Sequence, residues 1–293
     1  MFNTACEIID ACAKKSCHIY DLVLEDQVKN LKSTEDKIKS HLREVLDVME
    51  KSSIRGLDEG FETRFKTVNS FAKKAYEYQR DKEPISGKFI TKAMAMALST
   101  SETNAKMGLV VAAPTAGSSG IMPAMLMALK EKYNLTEDDL INGLLTSVAI
   151  GQIIGKYATF AGAEGGCQAE CGSASAMAAA AGVEMLGGSP EEALNAASIS
   201  IINVMGLACD PIAGLVEYPC VFRNASGVVN AILSCDLAMS GVKSIVPFDE
   251  VVVAMGEVGK LMHESIRETG LGGLAGTKTG KKIRAEFLNL KDE

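Results

Sequence analysis

The segment A-G-A-E-G-G-C-Q-A-E-C-G-S-A-S-A-M-A-A-A-A-G-V-E-M-L-G-G-S-P-E-E (161–192) decides how the rest of the chain is read. From Ser173 to Leu186 it is built of Ala, Ser and Met with few larger residues, a composition that predicts a slim helix which neighbours can approach closely. Ser189, Pro190 and Glu192 then combine an N-cap hydroxyl, a first-turn proline and the acid of a capping box, so a second helix starts there. Nowhere does the chain alternate strands with helices, and β-rich runs such as Val251 to Val253 are short and fall inside helical periods. The expected fold class is all-α, with helices stacked around one site.

Working outward, three cysteines stand beside residues that stop helices. Cys167 follows Gly165 and Gly166, Cys209 precedes Pro211, and Cys220 follows Pro219. A free cysteine is most often a small buried apolar group, and the spacing of these three fits no short ferredoxin-type run. Their setting differs from packing cysteines, however, because each is expected at a backbone turn and not on an apolar helix face. Thiolates so placed are candidate ligands for an iron–sulfur cluster, and three of them on a four-iron cluster leave one iron open. Cys171, four residues past Cys167, is the rival ligand. The remaining thiols read differently. On one helix Cys6 and Cys12 would lie about 240° apart, and Cys6 and Cys17 roughly 16 Å apart along the axis. They form no second metal site with His18, and Cys235 is read as packing.

Towards the N-terminus, Thr4 with Glu7 starts a helix carrying Ile8, Ile9, Cys12 and Ala13. Ser33 with Asp36 starts another, bearing Ile38, Leu42, Val45, Leu46 and Met49 and ending near Gly56. His41 is expected in solvent. Between Gly56 and Gly87 the signals weaken, with Phe61, Phe65 and Phe71 as anchors and a turn at 83–87. Past Lys88 a helix with Phe89, Ile90, Ala93, Met94, Ala97 and Leu98 ends near Asn104 and Gly108. The turn P-T-A-G-S-S-G (114–120) follows, with Pro123 suited to the first position of the next helix. Glycines there let amides face an anion, which makes Asn104, Thr115, Ser118 and Ser119 candidate binders of a carboxylate. Thr136 with Asp139 opens a helix through Leu140, Leu144, Leu145 and Val148. The helix from Ser189 is expected to deliver Cys209 at its C-terminal end, and Cys220 to precede a helix reaching Ser240. Asp249 is read as the cap of a helix with Val251, Val252, Met255, Val258 and Met262. The tail from Gly270 to Gly280 is read as a glycine-rich loop with His263, an exposed helix-end residue, nearby.

Composition sets bounds on function. Thirty basic against thirty-seven acidic residues give a net charge of −7, and no basic block marks a nucleic-acid footprint. The N-terminus has no basic region leading into an apolar run, so no export signal is read. Eight cysteines without such a signal point to a reducing cytosol. Met107 to Leu129 is uncharged and long enough to span a bilayer, but Pro114, Gly117, Gly120 and Pro123 would leave backbone groups unpaired in lipid. No nucleic acid and no membrane are expected as partners.

Three stretches, 161–181, M-G-L-A-C-D-P-I-A-G-L-V-E-Y-P-C-V-F-R-N (205–224) and A-A-P-T-A-G-S-S-G-I-M-P (112–123), resemble the signatures of the alpha chain of iron–sulfur-dependent L-serine dehydratase. The likeness runs from about Lys88 to the tail at 267–280. It implies that Cys167, Cys209 and Cys220 hold a 4Fe–4S cluster. Length and helical patterning predict one helical catalytic domain spanning 1–293, with residues 1–60 a peripheral arm and 88–293 the cluster-binding core. The resemblance also implies β-elimination of L-serine to pyruvate and ammonia in the cytoplasm. An open iron would assist the departing hydroxyl, while a base on a separate beta chain removes the α proton. No catalytic base is assigned in this chain. One departure stands out: where the family carries a stretch resembling S-G-L-T-G-G-D-A before a Lys-Lys pair, this chain has R-F-K-T-V-N-S-F-A-K-K (64–74). That leaves another β-hydroxy or β-thiol amino acid open as substrate. A pyridoxal-phosphate lyase and a non-catalytic cluster carrier are the competing readings.

Overall fold

The computed structural model describes residues 2–63 and 66–289. In chain order its helices are α1 (Ala5–Lys15), α2 (Ile19–Asn30), α3 (Glu35–Asp58), α4 (Phe71–Asp81), α5 (Gly87–Ala105), α6 (Ile121–Tyr133) and α7 (Glu137–Tyr157). They continue with α8 (Gly162–Gly165), α9 (Ser173–Met185), α10 (Pro190–Ile202), α11 (Cys220–Met239), α12 (Phe248–Leu261) and α13 (Lys278–Asn289). Among the described residues there is no strand, only the isolated bridges Glu62 to Asn69 and Cys209 to Arg267. The all-α expectation is met.

Helix α9 is the axis of the molecule. Every one of its residues is buried, and α6, α7, α10 and α11 pack around it. A helix apolar on all sides is a core helix, and the alanines at 178–181 let four neighbours come close. Where α11 crosses, Ser175 Oγ donates to the Gly227 carbonyl at 2.9 Å, so the hydroxyl is satisfied inside the core. A second layer, α3, α4 and α5, lies against α11 and α6, while α12 closes over α7, α8 and α10.

Three of the expected helix starts appear as read. Thr4, Thr136 and Ser189 each accept from the backbone N–H three residues on, and Asp139 and Glu192 return the bond to complete capping boxes. Others shift. The cap of α3 is Thr34, which accepts from Lys37 N, and not Ser33. Pro123 occupies the third position of α6, whose N-cap is Gly120. Asp249 lies inside the first turn of α12, and its carboxylate accepts from Ala5 N at 2.9 and 3.0 Å. It therefore caps α1 and not its own helix. The loop after Gly270 leads into α13, which the sequence reading did not anticipate.

Two further helices, α2 and α4, also went unread, and both are capped from a distance. Glu184 of α9, its side chain wholly buried, accepts from Ile19 N at 2.8 Å and Tyr20 N at 3.3 Å. Glu102 of α5 accepts from Phe71 N at 2.6 Å and Ala72 N at 3.3 Å. A carboxylate at a helix N-terminus satisfies unpaired N–H groups and meets the positive end of the dipole. Burial still pushes both acids up, Glu102 to about 6. Phe71 stacks on Phe222 at 5.4 Å between centroids, so the cap at Glu102 also seats α4 on the start of α11. Arg64 and Phe65 of the divergent stretch lie outside the described residues. No helix among those described is long and apolar enough to cross a membrane.

Candidate metal centre

Each of the three turn-borne cysteines reaches the centre by a different local device. Cys167 sits between Gly166, which adopts φ 73°, and a five-residue π-turn, Gln168–Gly172, that runs directly into α9. Cys209 does not end a helix, contrary to the sequence reading. Helix α10 stops at Ile202, and the chain turns and extends so that Cys209 N donates to the Ile266 carbonyl at 2.8 Å. Glu268 N returns a bond to the Cys209 carbonyl at 2.6 Å. The tail at 266–268 thus fixes Cys209 from the far end of the chain. Glu268 holds this position at φ 64°, in the left-handed region where a side chain is strained. Cys220 is the first residue of α11, its carbonyl accepting from Asn224 Nδ2 at 2.9 Å.

All three are buried: Cys167 is 1% exposed, Cys209 2% and Cys220 6%. The sulfurs of Cys167 and Cys209 and a carboxylate oxygen of Glu170 all lie within 4.8 Å of one another, a spacing that could hold a metal ion. Cys171 Sγ is 3.6 Å from Cys167 Sγ. Cys220 falls outside that tight group, its thiol raised first by burial and then by Cys167 and Glu170 nearby. A four-iron cluster is wider than a single ion, and thiolates bound to different irons stand further apart than thiolates sharing one metal. The donor set therefore suits either a single ion on Cys167, Glu170 and Cys209 or a larger core that also takes Cys220.

The electrostatics separate the thiols. Hydrogen bonds from Cys171 and Cys209, with Arg223 nearby, hold Cys167 well below the ordinary thiol range against the opposing effect of burial. Cys171 and Cys209 are pushed up, first by their bonds to that thiolate and then by burial. Arg223 stays charged because Cys167 and its ion pair with Asp210 outweigh its own desolvation. Asp210 in turn accepts from Leu274 N at 2.7 Å, tying the guanidinium to the glycine-rich tail. Glu170 is pushed up to about 7, by burial and then by Cys167. Cys171 and Cys209 thus hold their protons more tightly in the metal-free chain, and a bound metal would displace them.

The candidate carboxylate binders form the neighbouring wall. Thr115 opens a short turn, accepting from Ser118 N at 3.3 Å, and donates to Glu170 Oε1 at 2.8 Å. The Ser118 hydroxyl lies 3.0 Å from Thr115 Oγ1, and the Ser119 hydroxyl donates to the Ala116 carbonyl at 2.8 Å. Ser118 and Ser119 are fully buried and shape the turn; Thr115 and Asn104 are half-exposed. Asn104 Nδ2 donates to the Ala116 carbonyl at 3.4 Å, and Asn224 bridges the turn to α11 by donating to the Gly117 carbonyl at 2.7 Å. The turn and the thiols are thus one assembly joined by Glu170 and Asn224. Sequence reading missed Glu170, Arg223 and Asn224. The only signal was their place inside the two quoted stretches, Q-A-E-C and C-V-F-R-N. His263 lies at an exposed helix end, its ring accepting from Ser265 N at 3.2 Å, and His41 is also exposed.

Fold and site together define a helical protein with buried thiols and a half-buried carboxylate meeting beside the Thr115 turn. Residues 14–275 match the family model described as serine dehydratase alpha chain. The chain is 65% identical over 292 residues to the "L-serine dehydratase, alpha chain" of Peptoniphilus asaccharolyticus, covering the whole of both. It is 43% identical to the "Probable L-serine dehydratase, alpha chain" of Bacillus subtilis, over 98% of this chain and 96% of that one. The "L-serine dehydratase" of Streptomyces coelicolor is 37% identical over 94% of this chain but only 60% of its own length. This chain belongs to the serine dehydratase alpha chain family.

Proposed function

We propose that the chain is the alpha subunit of a cytoplasmic L-serine dehydratase, a lyase that converts L-serine to pyruvate and ammonia. It would act as one helical catalytic domain, 1–293, with residues 1–60 a peripheral arm and 88–293 the core. The observation that carries the reading is the convergence of Cys167 and Cys209 beside the Thr115 turn in a chain alike end to end to an alpha chain of that activity.

Cys167, Cys209 and Cys220 would hold a 4Fe–4S cluster, which when bound supplies a Lewis acid for the departing β-hydroxyl. Asn104 and Thr115 orient the substrate carboxylate from half-exposed positions, while Ser118 and Ser119 fix the turn that presents it. Arg223 balances the charge of the thiolates from within the site. A beta chain completes the heterodimer and contributes the base that takes the α proton. The C–H electron pair becomes the carbon–carbon double bond as hydroxide leaves with a proton. The released aminoacrylate then tautomerises and hydrolyses. No redox change is required of any group.

The test is anaerobic reconstitution of the full chain with a beta chain, iron and sulfide, followed by assay against L-serine and other β-hydroxy and β-thiol amino acids. Pyruvate from L-serine without an aldimine absorption band is the expected result. An inactive complex that carries a full cluster would sink the assignment. Because 64–74 departs from the family, and Thr67 hydrogen-bonds Glu217 close to Cys220, the amino-acid panel also reads substrate preference.

A further inference from the structure

Glu170 has no part in the chemistry above, yet the chain takes trouble to aim it. It lies in the π-turn between Cys167 and α9, and single π-turns inside helices concentrate at functional sites because they redirect side chains. Through this turn one carboxylate oxygen meets Thr115 Oγ1 at 2.8 Å while the other comes 3.9 Å from Cys209 Sγ. Two glycines leave the room it needs. A Cβ on Gly162 would stand 2.9 Å from Glu170 Oε2, and one on Gly117 would stand 3.0 Å from Oε1.

The company it keeps is a second, independent observation. A half-buried carboxylate faces the sulfurs of Cys167 and Cys209, with Glu268 near, while Arg223 is ion-paired to Asp210 as well as lying beside Cys167. Oxygen and sulfur donors converging on one spot with a single guanidinium that they share with Asp210 are the arrangement of a metal's ligand set, and carboxylate oxygen is an ordinary donor to iron. Three thiolates leave one coordination position of a four-iron cluster unfilled, and Cys171 is the only other thiol beside Cys167 in this loop.

We propose that Glu170 is the protein's own ligand for that position. Its Oε2 occupies the open iron when substrate is absent and yields it when substrate binds, while Oε1 stays with Thr115. The inference rests on the cluster assignment made above. Because Thr115 also belongs to the carboxylate-binding turn, arrival of substrate and release of Glu170 meet at one hydroxyl.

The experiment uses the full chain, reconstituted anaerobically with iron and sulfide as wild type, Glu170→Gln, Glu170→Asp and the exposed neighbour Glu164→Gln. Folding is followed by circular dichroism, the distinct iron by Mössbauer spectroscopy, and loss of one iron to a mild chelator by the three-iron paramagnetic signal. Wild type should show one iron with an oxygen ligand. Glu170→Gln should lose that iron about 10-fold faster or hold three irons from the start, Glu170→Asp should fall between, and Glu164→Gln should match wild type. Four irons with wild-type spectra and loss rates in both Glu170 variants would overturn the role of Glu170 and leave the cluster standing. Absence of any cluster from the wild type would overturn both.

Discussion

Cys12 and Cys167 are both buried thiols, 3% and 1% exposed, yet their surroundings push them in opposite directions. Cys12 lies inside α1, where burial raises it to about 12. Cys235 inside α11 behaves alike, also raised to about 12 by burial. Cys167 stands where the helix is interrupted, and neighbouring thiols with Arg223 hold it well below the ordinary thiol range. Burial alone therefore does not make a cysteine inert. The backbone differs between them: Cys12 and Cys235 lie inside helices, whereas the turn at Cys167 lets Cys209 and Arg223, from distant segments, reach its sulfur.

The comparison can be broken most sharply by deletion. Cys167→Ala and Cys209→Ala should each abolish iron retention after reconstitution. Cys12→Ala and Cys235→Ala should retain iron at the wild-type level, losing only a small buried group with about 1 kcal/mol of stability. Iron assay with urea unfolding reads both. Next in size is Arg223→Ala. It strands Asp210, 7% exposed, without its buried partner, and denaturation should show a loss of about 3–5 kcal/mol. It should also raise the Cys167 thiol part of the way back towards the ordinary range, read by ultraviolet titration of the metal-free chain.

A smaller effect is expected in the pH dependence of the metal-free chain. Glu170, at about 7, and Glu102, at about 6, are both raised above the ordinary value of 4.5. The folded chain thus holds protons that the unfolded chain releases, so stability is fullest below 4.5 and declines as pH rises through about 6 and then about 7. Glu170→Gln should abolish the decline between about 6 and 7 and lessen it below 6, where Glu102 still contributes, measured as urea midpoint against pH. An unchanged curve would mean that Glu170 is not confined as described.

Much of what is local was legible from the residues alone, though the cap of α3 moved from Ser33 to Thr34 and Pro123 from the first to the third position of α6. The capping boxes at Thr136 and Ser189 close within four residues, and the core position of α9 follows from its alanines. What escaped was set from far along the chain. Helices α2 and α4 take their caps from Glu184 and Glu102, which no window around Ile19 or Phe71 contains. Cys209 was expected at a helix end, but its backbone is held by Ile266 and Glu268. Of the centre, the cysteines and the Thr115 turn could be proposed from their glycines and prolines. Glu170 could not, because an inserted residue in a helix turn leaves no mark in composition or spacing.

Cys220 tests the account most directly, since it lies outside the tight group of Cys167, Glu170 and Cys209. The measurement is iron and sulfide bound per chain in reconstituted Cys220→Ala beside wild type. A shared four-iron core predicts about four of each in the wild type and a variant that cannot keep them. Equal and full loading of both would contradict it, leaving Cys220 a buried packing residue.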